Sequence, residues 1–147
     1  MRAVIQRVSS ACVTVDNKLI SKIGQGLLVL LGIHKADTRK ERDYIIKKII
    51  NLRIFSDDVF AMNKSVSNVS GEILLVSQFT LYGDCRKGNR PSFIDAMPPD
   101  QAKYFYDDFM AELRLQYPKV QEGVFGAHMQ VELVNNGPVT ILLDTQK

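Results

Sequence analysis

Three short stretches carry side chains able to do chemistry. In "LLVSQFTL", residues 74–81, Ser77, Gln78 and Thr80 break an apolar run with two hydroxyls and an amide. Polar groups at the end of a buried strand can floor a pocket. A water-facing Ser77 and a Thr80 present for its β-propensity are the structural alternative. Arg86, Lys87 and Arg90 crowd beside Gly88 and Asn89, a flexible cationic segment suited to phosphate or simply to solvent. In "NNGPVT", residues 135–140, Asn136-Gly137 reads as a tight hairpin turn, yet Pro138 removes a backbone N–H where the returning strand would begin to pair. That corner is atypical, and an open loop with outward carbonyls fits it.

Several familiar chemistries have no motif here. HExxH, clustered Cys and His at ligand spacing, GxxxxGK[ST] and GxSxG are all missing from the sequence, so neither metal nor cofactor is expected. Gly24 and Gly26 lack the third glycine of a dinucleotide-binding turn and precede a strand-like segment. His34 and His128 stand alone and read as structural. Cys85, in the basic segment, has no evident histidine partner for thiol catalysis.

The elements that must position these residues follow from composition and pattern. The chain has 147 residues, 46% apolar and 24% charged, with a formal net charge of +3. This is ordinary globular composition, and one domain spanning 1–147 is expected. The longest apolar run, residues 27–31, falls far short of the ~20 residues of a membrane span. Gln6 and Arg7 sit where a signal peptide would be apolar. Cys12 and Cys85 form no disulfide framework, which fits a reducing compartment. The expectation is a soluble, cytoplasmic protein with no membrane partner.

"VIQRV" and "CVTVD" alternate as half-buried strands, and Asp16-Asn17-Lys18 supplies the turn of an N-terminal hairpin. "LLVLLGI" is apolar on both faces and predicts a central strand. Thr38 with Glu41 is a capping-box signature for a helix over 38–52, whose apolar face carries Ile45, Ile49 and Leu52. "EILLVSQFTL" predicts one strand. Pro98-Pro99-Asp100 opens a second helix over 99–116, closed by Pro118. Met129, Val131 and Leu133 alternate before a turn at 135–137 and a last apolar strand. Two helices cannot cover both faces of so many strands, so two sheets should pack together with the helices over one outer face.

"SQFTL" at 77–81, "GNRPSF" at 88–93, "NNGPVT" at 135–140 and the opening "MRAVIQRV" resemble the D-aminoacyl-tRNA deacylase family, in order across essentially the whole chain. The resemblance implies an α/β fold of two packed mixed β-sheets with two helices over one outer face. It implies hydrolysis of the ester joining a D-amino acid to the terminal adenosine of tRNA, with L-aminoacyl-tRNA spared. Glycine mischarged on tRNA(Ala) is the implied second substrate. It further implies a homodimer in which Gly137 and Pro138 of one chain enter the partner's active site as the chiral selector. Their carbonyls would accept hydrogen bonds from the substrate's α-ammonium and leave no room for an L side chain.

By the same resemblance Ser77, Gln78, Phe79 and Thr80 form the catalytic segment, with backbone N–H groups near Phe79 and Thr80 facing the adenosine and the developing oxyanion. Phe125 and Met129 line the pocket, Arg7 braces the Gly-Pro corner, and Arg86, Lys87 and Arg90 lie near tRNA phosphates. Two mechanisms stay open: a Thr80 nucleophile, or assistance by the ribose 2′-OH of the RNA. The second is favoured because no base accompanies Thr80 in the sequence. A non-catalytic tRNA-binding module and a Cys85 thiol enzyme are the other functional readings.

Overall fold

Residues 1–146 are described by the computed structural model. The elements in chain order are β1 (Arg2–Val15), β2 (Lys18–Ile23), β3 (Gly26–Gly32), α1 (Arg39–Asn51), β4 (Glu72–Ser77), a 3₁₀ turn (Phe79–Tyr82), α2 (Pro99–Gln116), β5 (Val120–Glu122) and β6 (Gln130–Asp144).

The two alternating segments at the start of the chain merge into the single long strand β1. Asp16 and Asn17 turn the chain with φ of 48° and 60°, the left-handed pair that short Asx side chains tolerate in a hairpin. β2 then returns along β1 opposite Ala11 to Val15, and after the break at Gly24-Gln25, β3 continues along the same edge opposite Arg2 to Val8. β6 runs antiparallel along the other edge of β1. β3, β4 and β5 are mutually parallel.

The apolar run of β3 is covered on both faces, as its composition predicts. Leu27, Val29 and Leu31, with Ile73 and Leu75 of β4, pack under Ile45, Ile46 and Ile49 of α1 and Tyr106, Phe109 and Leu113 of α2. Leu28, Leu74 and Val76 point the other way, onto Val8, Ala11, Val13 and Ile23 and the half-buried Met129, Val131 and Leu133. The expected layering of helix, sheet and sheet is therefore present. Its two β layers are halves of one six-stranded mixed ladder that folds over on itself. The fold line passes through the irregular register of β1 near Arg7 and the Gly24-Gln25 break.

Both helices sit close to their predicted bounds. Thr38 caps α1 in a complete capping box, the Glu41 carboxylate accepting from the Thr38 N–H at 2.9 Å. Pro99 opens α2 at its first turn, where a missing N–H costs nothing. Arg42 of α1 forms an ion pair with Asp108 of α2 and ties the helices together.

Three local expectations are corrected. The strand expected over 72–81 ends at Ser77, because the Gln78 N–H makes the last bond to Leu31 O, at 2.7 Å, and Phe79–Tyr82 then coils as a 3₁₀ turn. β5 was not anticipated, as three residues carry no periodicity. The hairpin turn expected at 135–137 is not formed, and β6 continues past it as one strand with an irregular register. A two-residue hairpin of that type needs positive φ at both Asn136 and Gly137; only Gly137 has it, at 142°. Val139 is buried in the core instead and keeps the chain on β1.

β3 and β4 meet without room for a side chain at Gly26, where a Cβ would lie 1.8 Å from Glu72 O. At Gly24 the nearest atom would be Glu72 Oε2, at an ordinary 3.5 Å. Gly26→Ala is expected to cost more than about 4 kcal/mol of unfolding free energy in a urea titration, and Gly24→Ala less than about 1 kcal/mol. Equal losses would contradict this strand contact.

Candidate active site

Parallel strands present their carboxyl ends on the same side, and the crevice outside those ends is where such sheets bind ligands. Here it is a cavity of about 850 Å³. Its floor comes from the end of β4, with Ser77 and Gln78, and from Phe79 of the following turn. One wall is the loop after β5, with Phe125, His128 and Met129, and the roof is formed by Ile94 and by Ala96 to Pro99, leading into α2.

Each wall is fixed by contacts beneath it. The Phe125 ring tilts against Tyr106, 5.4 Å between centroids, and the Tyr106 hydroxyl donates to Leu75 O at 3.2 Å. Burial pushes the Tyr106 phenol up, so it stays neutral. Met129 Sδ accepts from Val124 N–H at 3.3 Å and would lie 2.6 Å from any Cβ on Gly123, so only glycine lets this sulfur fold against the loop. Phe79, largely exposed, meets Phe93 edge-on at 5.0 Å across the mouth.

The predicted residues divide between this cavity and two other places. Ser77, Gln78, Phe79, Phe125 and Met129 line it. Thr80 does not: it is exposed on the 3₁₀ turn, and its hydroxyl oxygen accepts a hydrogen bond from Gln78 Nε2. Gly137, Pro138 and Arg7 lie outside the cavity of their own chain. Between Gln6 and Val8 on β1 stands Arg7 alone, whereas Asn136, Gly137, Pro138 and Val139 separate their partners Asn135 and Thr140 on β6. The surplus bulges out, with a cis Gly137-Pro138 peptide at its exposed tip. Arg7 bridges its base, Nε to Asn136 O at 2.9 Å and NH1 to Ile54 O at 2.5 Å, while Asn135 Oδ1 accepts from Val139 N–H at 2.8 Å. A Cβ on Gly137 would come within 2.8 Å of Val139 Cγ2 and 3.0 Å of Arg7 NH2, so that position demands glycine on two counts.

Arg86, Lys87 and Arg90 occupy an exposed loop whose ends are closed by Asp84 and Ser92, paired through both backbone hydrogen bonds at 2.8 and 2.9 Å. Arg86 is clasped bidentately by Asp84, Nε to Oδ1 at 2.9 Å and NH2 to Oδ2 at 2.7 Å. That clasp holds the Asp84 carboxyl down at about 2, so it stays ionised at any ordinary pH. Among the described residues Lys87 and Arg90 have no carboxylate partner. Of the two histidines read as structural, His34 accepts a bond from Ala36 N–H at 3.1 Å, whereas His128 lines the cavity. The roof segment was missed by sequence reasoning, since nothing in its composition marks it apart from a loop.

The profile of the D-Tyr-tRNA(Tyr) deacylase family matches residues 4–144. The chain belongs to this family. A D-aminoacyl-tRNA deacylase of Thermosipho africanus is 56% identical over 147 residues, covering 100% of this chain and 99% of that protein. One from Clostridium acetobutylicum is 51% identical with the same coverage. A solved structure described as a c-Myc DNA unwinding element binding protein superposes with a TM-score of 0.94 at 49% identity, covering 99% of each chain. A structure described as a probable eukaryotic D-amino acid tRNA deacylase, TM-score 0.85 at 18% identity over 97% of each chain, shares the fold. The protein is thus an enzyme, a hydrolase of the D-aminoacyl-tRNA ester. No helix among the described residues is long and apolar enough to cross a membrane.

For this deacylase, Cys85 is exposed and outside the cavity. Cys85→Ser is expected to leave the rate of D-tyrosyl-tRNA hydrolysis unchanged. A large loss in a correctly folded variant would return the thiol to the chemistry.

Proposed function

We propose that the cavity receives the terminal adenosine of tRNA with its D-aminoacyl ester, and that a second copy of the chain completes the site with its own Gly137 and Pro138. The observation that carries this reading is the separation of the parts: Ser77 to Phe79, Phe125 and Met129 share one cavity, while the Gly-Pro bulge lies outside it, exposed to solvent. Among the described residues β6 pairs along one edge only, with β1, and it exposes Val134 and Leu142, each 57% accessible, as a surface for that copy. Held by Arg7, the Gly137 and Pro138 carbonyls accept from the substrate's α-ammonium. An L side chain would be driven into that backbone, and a D side chain points to solvent. Glycine has no side chain on either face of its α-carbon and passes the same filter, which makes glycine on tRNA(Ala) a second substrate.

Hydrolysis needs a stabilised oxyanion and an activated water. The amides of Phe79 and Thr80, at the open start of the 3₁₀ turn, stabilise the developing charge. Thr80 is a poor nucleophile: its oxygen takes a hydrogen bond from Gln78, and no base is in contact with it. The ribose 2′-OH beside the ester supplies the missing group by activating water or assisting the leaving oxygen. Positioning alone is worth roughly 7–11 kcal/mol of barrier in well-aligned systems, enough for an enzyme without a triad. A substrate made during translation places the work in the cytoplasm.

Purified protein is expected to hydrolyse D-tyrosyl-tRNA rapidly and to spare L-tyrosyl-tRNA. Thr80→Ala should retain most of the D activity, whereas 2′-deoxy substitution of the terminal adenosine should abolish it. An inert, folded Thr80→Ala that still binds tRNA would establish the side-chain nucleophile instead.

Shared sites can be tested by mixing. Gly137→Ala and Gln78→Ala chains, each inactive alone, should recover roughly a quarter of the wild-type rate when co-expressed, since half of randomly assorted dimers are hybrids with one intact site. No recovery from a mixed dimer would mean that each chain completes its own site.

A nucleic-acid-binding surface beside the site is favoured by the unpaired Lys87 and Arg90. The relative with a DNA-binding description is consistent with such a surface. Removing Lys87 or Arg90 should each lower the salt dependence of tRNA binding by about one phosphate contact, and Arg86→Ala should leave that slope unchanged because its charge is already matched by Asp84. Equal slope changes for all three would show that the clasp opens on RNA.

A further inference from the structure

The main cavity accommodates one nucleoside with its ester, but the acceptor strand continues past it. A second cavity, of about 400 Å³, lies on the other side of the roof segment and is lined by Arg2, His34, Tyr82, Asp84, Arg86 and Asp95. Ile94 lines the first cavity and Asp95 the second, so consecutive residues of one segment border both.

The chemistry of this cavity selects its ligand. A phosphate would want donors only, and two carboxylates oppose it. An apolar group would take water from the paired charges and satisfy none of their remaining donors and acceptors. A nucleobase fits, because its edge carries donors and acceptors together and its faces stack on aromatic rings and guanidinium planes. The half-buried Arg2 and His34 supply such faces: the Arg2 guanidinium lies 4.7 Å over the buried Tyr82 ring and presents its outer plane, and the His34 ring packs 5.3 Å from the same tyrosine. The edge-reading groups are present too. Asp95 pairs with Lys35 Nζ through Oδ1 at 2.8 Å, which leaves Oδ2 without a partner among the described residues. That pairing holds the Asp95 carboxyl below the usual range and keeps it an acceptor. His34 Nδ1 accepts from Ala36 N–H, so Nε2 carries the proton and donates. Arg86, fixed by Asp84, retains NH1.

We propose that this second cavity binds the base preceding the aminoacylated terminal adenosine, with Asp95 accepting from an exocyclic amino group while His34 and Arg86 donate to ring acceptors. In the universal CCA end that base is cytosine, whose N4 amino group and O2 and N3 acceptors match this set. The subsite rests on the deacylase reading and extends it by one nucleotide.

The test compares D-tyrosyl esters of adenosine, adenosine 5′-phosphate, cytidylyl-adenosine and uridylyl-adenosine, with D-tyrosyl-tRNA alongside. The cytidylyl ester should show a KM about tenfold below the other three small esters, because only cytosine presents the amino group. Asp95→Ala should erase that advantage and leave hydrolysis of the adenosine ester unchanged. Equal KM values for the cytidylyl and uridylyl esters, or a gain already complete with the 5′-phosphate, would overturn the subsite while D-tyrosyl-tRNA is still cleaved. So would an Asp95→Ala variant that slows the adenosine ester to the same degree. Intact D-tyrosyl-tRNA would overturn the deacylase reading, and the subsite with it.

Discussion

The architecture depends on β1 being paired along both edges over almost its full length. A strand held on both sides cannot bend alone, so its neighbours bend with it. β2 and β3 manage this by a break at Gly24-Gln25, and β6 by extruding residues 136–139. The fold-over stacks one half of the sheet on the other and buries Leu28, Leu74 and Val76 in the seam. It leaves Leu27, Val29 and Leu31 for the helices. The Gly-Pro bulge is thus a consequence of sheet geometry: the surplus chain has to leave the ladder where the ladder folds, and the buried Val139 and the Arg7 bridge hold it there.

The same parallel register that buries β3 makes β3, β4 and β5 end side by side, and the cavity is the space beyond those ends. Its walls are mostly apolar, with Ser77, Gln78 and His128 as the polar exceptions. Such a site is suited to holding a substrate in place with backbone groups more than to proton relay. The group nearest to a nucleophile, the Thr80 hydroxyl, is engaged by its neighbour and is not part of the cavity lining. A reaction whose substrate carries its own hydroxyl next to the scissile bond is compatible with that economy.

Much of this was legible in the residues. Helix α1 was announced by Thr38 and Glu41 and helix α2 by Pro99, because capping and proline chemistry act within a few residues. The central place of β3 followed from its unbroken apolar run, and the polar residues Ser77 and Gln78 pointed to a pocket near the end of the next strand, although that strand was expected to run on to Leu81. The motifs at 77–81 and 135–140 pointed to the family through resemblance, while spacing alone left alternatives open.

What the sequence by itself determined is whatever depends on neighbours in the chain: caps, the turn at Asp16-Asn17 and alternation. Tertiary structure decided what depends on distant partners. Asn136-Gly137 has the chemistry of a hairpin turn, but a full-length partner in β1 and a core position for Val139 outweigh it, so the chain goes on. The clasp of Arg86 by Asp84, the exclusion of Thr80 from the cavity and the approach of residues 94–97 over its roof all arise the same way. They depend on where parallel strands end and how one sheet folds over itself, and pairing energies summed over many residues set both.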